Sequence, residues 1–229
     1  MRLDKFLSEC TPMSRKEIKA AVKAGKVTVN DAVAKASDMK IDEARDEVFF
    51  CGEKTEYKKF IYLMMNKPAG YVSANEDKHY PVVIDLLPEK YRHYNPFCVG
   101  RLDIDTEGLL LITNDGEYAH KMTSPKKEVY KKYFVKVKTV LNNEIRLTEP
   151  MTLLDGKNDT YITKGSKVEK IDDYSLYLSI CEGKFHQVKR MIEAIDNEVI
   201  YLKRVAIGKL ELPNDLALGD FSEVQDLEF

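Results

Sequence analysis

Val99–Gly116 reads VGRLDIDTEGLLLITNDG. Its apolar run, Leu109–Ile112, is short, does not alternate and is bounded by turn-forming residues. That is the pattern of a strand buried on both faces. Around it stand four acids (Asp103, Asp105, Glu107, Asp115) and three glycines. Such acids are metal ligands, turn formers, or one catalytic acid with bystanders. Asp103-x-Asp105-x-Glu107 imitates the opening of a calcium-binding EF-hand loop, which needs a bidentate glutamate at its twelfth position; counting from Asp103, that position is Asn114. The aspartate pair also imitates aspartate-nucleophile phosphatases, but the threonine comes one residue too early, at Thr106, and no strand leads directly into the acid. His79, His93, His120 and His186 show no paired ligand spacing, so no metal site is expected.

Outward from this stretch the chain reads as mixed α and β. Phe60–Met65 is an apolar strand stopped by the turn Asn66-Lys-Pro-Ala-Gly70. Val82–Leu87 suits a short helix ending at Pro88, and Asp115 caps a helix running towards Ser124-Pro125. Tyr130–Lys138 alternates Tyr133, Val135 and Val137 with lysines, a half-exposed strand. Tyr174–Ile180 alternates again, Phe185, Val188, Met191, Ile192 and Ile195 fall on one helical face with Phe185 in the core, and Val199–Ile207 is a further strand. Upstream, Leu3, Phe6 and Leu7 share a helix face and Pro12 breaks that helix. Ser14 with Glu17 forms the sequence of a capping box, and Gly25 ends the second helix. A strand then enters a tight turn at Asn30-Asp31, and Glu47–Cys51 is another strand. The polar stretch Gly52–Lys59 reads as a linker, placing a small module at 1–58 and a larger one at 59–229.

Composition admits a soluble globular protein: 44% hydrophobic, 32% charged, over 229 residues. No apolar run approaches the ~20 residues of a membrane span, and the start, MRLDKFLSEC, is charged and amphipathic rather than a signal peptide. Four cysteines lie far apart with no CxxC, as expected of reduced thiols in a cytoplasm. Net charge is only −2, but it is clustered. Residues 1–30 hold seven basic residues against three acids, and residues 121–138 hold seven lysines against Glu128. Arg15, Lys16, Lys19 and Lys23 lie mostly off the apolar face of their helix, so the exposed side is basic. Clustering of this kind makes a phosphate-binding face on a nearly neutral protein.

A second basic motif, Glu182–Met191 (EGKFHQVKRM), completes an ordered set. VGRLDIDTEGLLLITNDG, SPKKEVYKKYFVKV and EGKFHQVKRMIEAI, preceded by NKPAGYVSA, resemble the RsuA family of ribosomal RNA pseudouridine synthases. RLDKFL, SRKEI and GKVTVND resemble the S-four-like RNA-binding domain that precedes the catalytic domain in that family. The resemblance spans nearly the whole chain, with its motifs in the family's order.

The resemblance implies an α+β protein: a small S-four-like module and a catalytic domain built on a mixed, mainly antiparallel sheet with flanking helices. It implies isomerisation of uridine to pseudouridine in 16S rRNA at uridine 516. A 23S rRNA target, or a non-catalytic rRNA-binding assembly factor, is the alternative. Asp103 is implied as the catalytic aspartate, acting as nucleophile or as base, with Asp105, Glu107 and Asp115 in turn, cap and surface roles. Lys189, or its neighbour Arg190, is implied as the cation beside Asp103. The family more often has arginine here, and a lysine loses the bidentate fork. Arg101 is implied to hold the flipped nucleotide and Tyr133 to face the extruded base. Arg2, Arg15, Lys16, Lys19 and Lys23 would grip RNA phosphates. Val29-Asn30-Asp31 stands where family members often have VNG, a departure that touches only the turn. No metal and no cofactor are implied. The expected partner is ribosomal RNA or a partly assembled small subunit, with no membrane partner, for a cytoplasmic monomer.

Overall fold

The computed structural model describes residues 1–156 and 159–224. The chain divides into two compact units, Met1–Ile61 with Leu87–Pro96, and Tyr62–Leu86 with Phe97–Phe229.

In the first unit, α1 (Leu3–Cys10) and α2 (Arg15–Lys23) pack on a four-stranded antiparallel sheet. Its strands are β1 (Val27–Val29), β2 (Ala32–Val33), β3 (Val48–Phe50) and β4 (Glu53–Thr55), in the order β2-β1-β3-β4. Leu3, Phe6, Leu7, Ile18, Val22, Val27 and Val48 form its core. The capping box at α2 is complete: Glu17 N–H donates to Ser14 Oγ, and Ser14 N–H donates to Glu17 Oε2 at 2.8 Å. Ser14→Ala is expected to cost about 1 kcal/mol, read as a lower urea midpoint for this unit. Asn30 and Asp31 both have positive φ, 50° and 64°, which a two-residue hairpin turn requires. The expected linker Gly52–Lys59 is shorter than its composition suggests. Cys51 and Gly52, at φ 53° and 85°, reverse the chain, so the polar Glu53–Thr55 returns as an edge strand on β3. The short helix α3 (Glu89–Arg92) belongs to this unit, where His93 Nε2 lies 3.1 Å from the Glu9 carbonyl.

The second unit is built on a mixed sheet: β5 (Tyr62–Lys67), β6 (Phe97–Val99), β7 (Glu107–Thr113), β8 (Lys131–Val137), β11 (Lys167–Asp172), β12 (Ser175–Ile180), β13 (Val199–Ile207), β14 (Leu210–Glu211) and β15 (Phe221–Glu223). The spatial order is β11-β12-β8-β13-β7-β5-β15, with β14 on β13 and β6 on β7. The strands β9 (Thr152–Leu154) and β10 (Thr160–Ile162) pair separately as a hairpin. Among the described residues, the named strands all pair antiparallel except β13 with β7, which run parallel. The fold is therefore α+β with a mainly antiparallel sheet, as expected. The strand β7 is buried from Gly108 onwards, so its apolar run needs no alternation. On β8, Tyr133, Val135 and Val137 are buried, as their alternation predicts. Asp115 caps α4 (Gly116–Thr123), accepting from the Glu117 and Tyr118 amides at 3.0 and 3.1 Å.

The central parallel pair needs glycine at 108. Gly108 stands opposite Arg204 in register, with φ +103°. A Cβ there would lie 2.2 Å from the Arg204 carbonyl oxygen, so any larger residue pushes β7 from β13.

Candidate active site

Asp103 lies in the turn Gly100–Thr106, between β6 and β7, where the Thr106 amide donates to the Asp103 carbonyl at 3.0 Å. The stretch after β5 ties this turn down. The Gly70 amide donates to the Ile104 carbonyl at 2.7 Å. Ser73 Oγ donates to the Leu102 carbonyl and accepts from the Leu102 amide, both at 3.1 Å. Lys67 does most. Its side chain is fully buried, and Nζ donates to the carbonyls of Pro68, Asp103 and Thr106 at 3.0, 3.1 and 2.8 Å. Burial pushes the Lys67 ammonium down to about 8, against the pull of Asp105, Asp103 and Glu107. The sequence places a lysine at the junction of an apolar strand and a Pro-Ala-Gly turn, a cue that composition and spacing did not turn into a role.

The side chain of Asp103 points towards the start of α5 (Gln187–Glu193) and is partly exposed. Lys189 Nζ stands 3.5 Å from Asp103 Oδ2, and His186 Nε2 stands 3.6 Å from Oδ1. Lys189 is bound more closely to Asp105, donating to its two oxygens at 2.7 and 2.8 Å. Asp105, expected as a turn or surface acid, thus fixes the ammonium that faces Asp103. Partial burial works to raise the Asp105 carboxyl, but the hydrogen bonds and charge of Lys189 outweigh it and the net shift is downward. Glu107 accepts from Tyr201 Oη at 2.6 Å, and Asp115 accepts from Tyr62 Oη at 2.7 Å, so both acids brace the sheet.

The cation beside Asp103 is Lys189. Arg190 turns away: its Nη1 donates to the Leu154 carbonyl and its guanidinium lies 5.3 Å from the centre of the Phe185 ring. Phe185, expected in the core, is 49% exposed. His186 takes a left-handed conformation, φ 52°, just before α5, and this throws Phe185 off the helical face, where its ring stacks on His186 with centres 3.8 Å apart. Gln187 is buried and donates through Nε2 to Glu182 at 2.7 Å, bracing the loop that leads into α5.

Arg101, Tyr133, Lys189 and Asp103 line one recess of about 70 Å³. Tyr133 is buried on β8 and opposite Arg204 on β13, so its ring forms part of the wall. In the other unit, Arg15, Lys16, Lys19 and Lys23 are exposed along α2. Arg2 is held instead by Asp4, with Nη2 donating at 2.7 Å.

A family model for RNA pseudouridylate synthase matches residues 61–194, and one for the S4 domain matches residues 1–48. The chain is 46% identical over its whole length to an uncharacterized RNA pseudouridine synthase of Bacillus subtilis, of which it covers 96%. It is 37% identical to ribosomal small subunit pseudouridine synthase A of Yersinia pestis, over 96% of this chain and 93% of that one. The protein of that name from Escherichia coli is 33% identical over 100% of this chain and 98% of its own. A solved structure described as a pseudouridylate synthase superposes with a TM-score of 0.68 at 33% identity, covering 98% of this chain and 96% of that one.

Proposed function

We propose that this chain, which belongs to the RNA pseudouridylate synthase family, isomerises a single uridine of 16S ribosomal RNA, uridine 516. Its activity class is pseudouridine synthase acting on RNA. The finer assignment is supported by the relatives named small-subunit synthases and by full-length coverage that includes the S4 domain.

The observation that carries the reading is the placing of Asp103. Its carboxylate faces an ammonium and an imidazole at 3.5 and 3.6 Å, and the aromatic wall of Tyr133 stands in the same recess. In the reaction the C1′–N1 bond of uridine breaks, the uracil turns, a C1′–C5 bond forms, and the proton on C5 leaves. Asp103 supplies the carboxylate beside the sugar. Lys189, fixed by Asp105, offsets the cost of bringing that charge under a bound nucleotide. Tyr133 and Arg101 hold a uridine that has left its stack.

Residues 1–58 act as the module that grips RNA phosphates. Changing Arg15, Lys16, Lys19 and Lys23 together to Gln is expected to weaken RNA binding at low salt. The slope of log affinity against log salt falls by about 0.7 for each cation that meets a phosphate of unpaired RNA. A filter-binding titration over salt concentration checks this, and an unchanged slope removes α2 from the RNA interface.

The substrate is tested by incubating the protein with unmodified 16S rRNA, 23S rRNA and partly assembled small subunits, then mapping pseudouridine by carbodiimide labelling and reverse transcription. One new stop in 16S rRNA is expected. A stop in 23S rRNA alone overturns the substrate.

A further inference from the structure

Beside the Asp103 recess lies a larger cavity of about 520 Å³, within the range of ligand-binding pockets. It shares Arg101, Tyr133, Gly183 and Lys184 with the recess but does not include Asp103, and it runs on to Leu111, Met122 and Ile207. Among the described residues, two buried polar atoms on its wall have no hydrogen-bond partner: Arg204 Nη2 and Tyr161 Oη. Arg204 is only 4% exposed, and its one hydrogen bond among the described residues runs from Nε to the Leu109 carbonyl at 2.8 Å. Leaving two such donors dry is costly unless a ligand meets them.

The charge around them is one-sided. Arg204 has no carboxylate partner among the described residues. Lys131 also lines the cavity, and its ammonium is held below its ordinary value first by burial and then by the charge of Arg204. Glu182, the acid on the wall, is taken up by the Lys164 amide and Gln187 Nε2. Buried donors over apolar walls, with lysines at the side, suit a flat base with carbonyl acceptors and a phosphate behind it.

We propose that this cavity receives the base of a nucleotide adjacent to the target uridine, read by donation from Arg204 Nη2 and Tyr161 Oη to its carbonyl edge. The inference rests on the functional reading above: the target sugar must sit at Asp103 and its base against Tyr133, so the space beyond Tyr133 falls to a neighbour. The base has a carbonyl acceptor, as guanine and uracil do and as the amino edge of adenine does not. The substrate is then an unpaired segment of at least two nucleotides.

The test uses an RNA fragment carrying the mapped uridine, in three forms: intact, abasic on the 5′ side of the target and abasic on the 3′ side. Each is given to the native enzyme and to Tyr161→Phe, with melting temperature followed alongside. On intact RNA, Tyr161→Phe raises KM by roughly three- to ten-fold, the worth of one hydrogen bond, at unchanged kcat and melting temperature. One abasic form raises KM of the native enzyme by at least as much, and on that form Tyr161→Phe has no further effect. Silence of both abasic forms together with silence of Tyr161→Phe overturns the inference. So does a fall in kcat for Tyr161→Phe with both abasic forms silent, because the target base then fills the cavity. A native enzyme that leaves the intact RNA unmodified overturns the functional reading instead.

Discussion

Replacing Lys67 by Met is expected to cost the fold about 2–5 kcal/mol at neutral pH and to remove most of the turnover. The methionine keeps the volume and the buried stem but withdraws the ammonium that donates to the Pro68, Asp103 and Thr106 carbonyls at 3.0, 3.1 and 2.8 Å, leaving the Asp103 carbonyl with the Thr106 amide. Each buried acceptor left unmet costs about 1–3 kcal/mol, and removal of the buried charge itself offsets part of the sum. The turn carrying Asp103 loses its anchor, so kcat falls along with stability. Urea unfolding and single-turnover isomerisation check both effects. Wild-type stability in Lys67→Met would show that the turn is held by Gly70 and Ser73 alone.

The same lysine sets a pH dependence. In the folded protein it releases its proton near pH 8; in the unfolded chain it does so near 10.5. Between these values the unfolded state binds more protons, so stability contributed by this group rises with pH. The cost of burying the charge is full below about pH 8 and gone above about 10.5. Wild type is therefore expected to gain on Lys67→Met between pH 8 and 10 in paired urea titrations. A constant gap across that window would place the Lys67 proton elsewhere.

Asp103→Asn is the second large effect. The amide is nearly isosteric and can neither attack the ribose nor take a proton, so isomerisation should fall by at least about a thousand-fold, within the range a positioned acid–base group supplies. Affinity for RNA should stay near wild type, because the phosphate contacts assigned to α2 are untouched and the substitution only removes a negative charge from the cleft. The fold should hold too: the backbone of residue 103, not its carboxylate, carries the hydrogen bonds to Lys67 and Thr106.

Several features were legible because they are local. The capping box at Ser14 and Glu17, the unalternating run of β7 and the alternation of β8 are each written in adjacent residues, and each element forms where the pattern puts it. The approach of Lys189 to Asp103 spans 86 positions and was reached only through family resemblance; no spacing rule yields it. What stayed hidden depended on backbone conformation or on distant partners. The exposure of Phe185 follows from the left-handed His186, and helical periodicity cannot foresee a reversal one residue before the helix. Glu53–Thr55 looks like a linker because an edge strand needs no apolar residues. The grip of Asp105 on Lys189 and the burial of Lys67 both arise when β5, β7 and α5 converge, and a lysine in a turn motif reads as solvated until the carbonyls around it are seen.

The most direct measurement uses 16S rRNA transcribed with uridine tritiated at carbon 5. Joining C1′ to C5 expels the hydrogen there, so each turnover releases one tritium to water whatever the site modified. The native protein should release label equivalent to one uridine per RNA, and Asp103→Asn should release none while still binding the transcript. Release by Asp103→Asn at the native rate would contradict the assignment of the chemistry to Asp103.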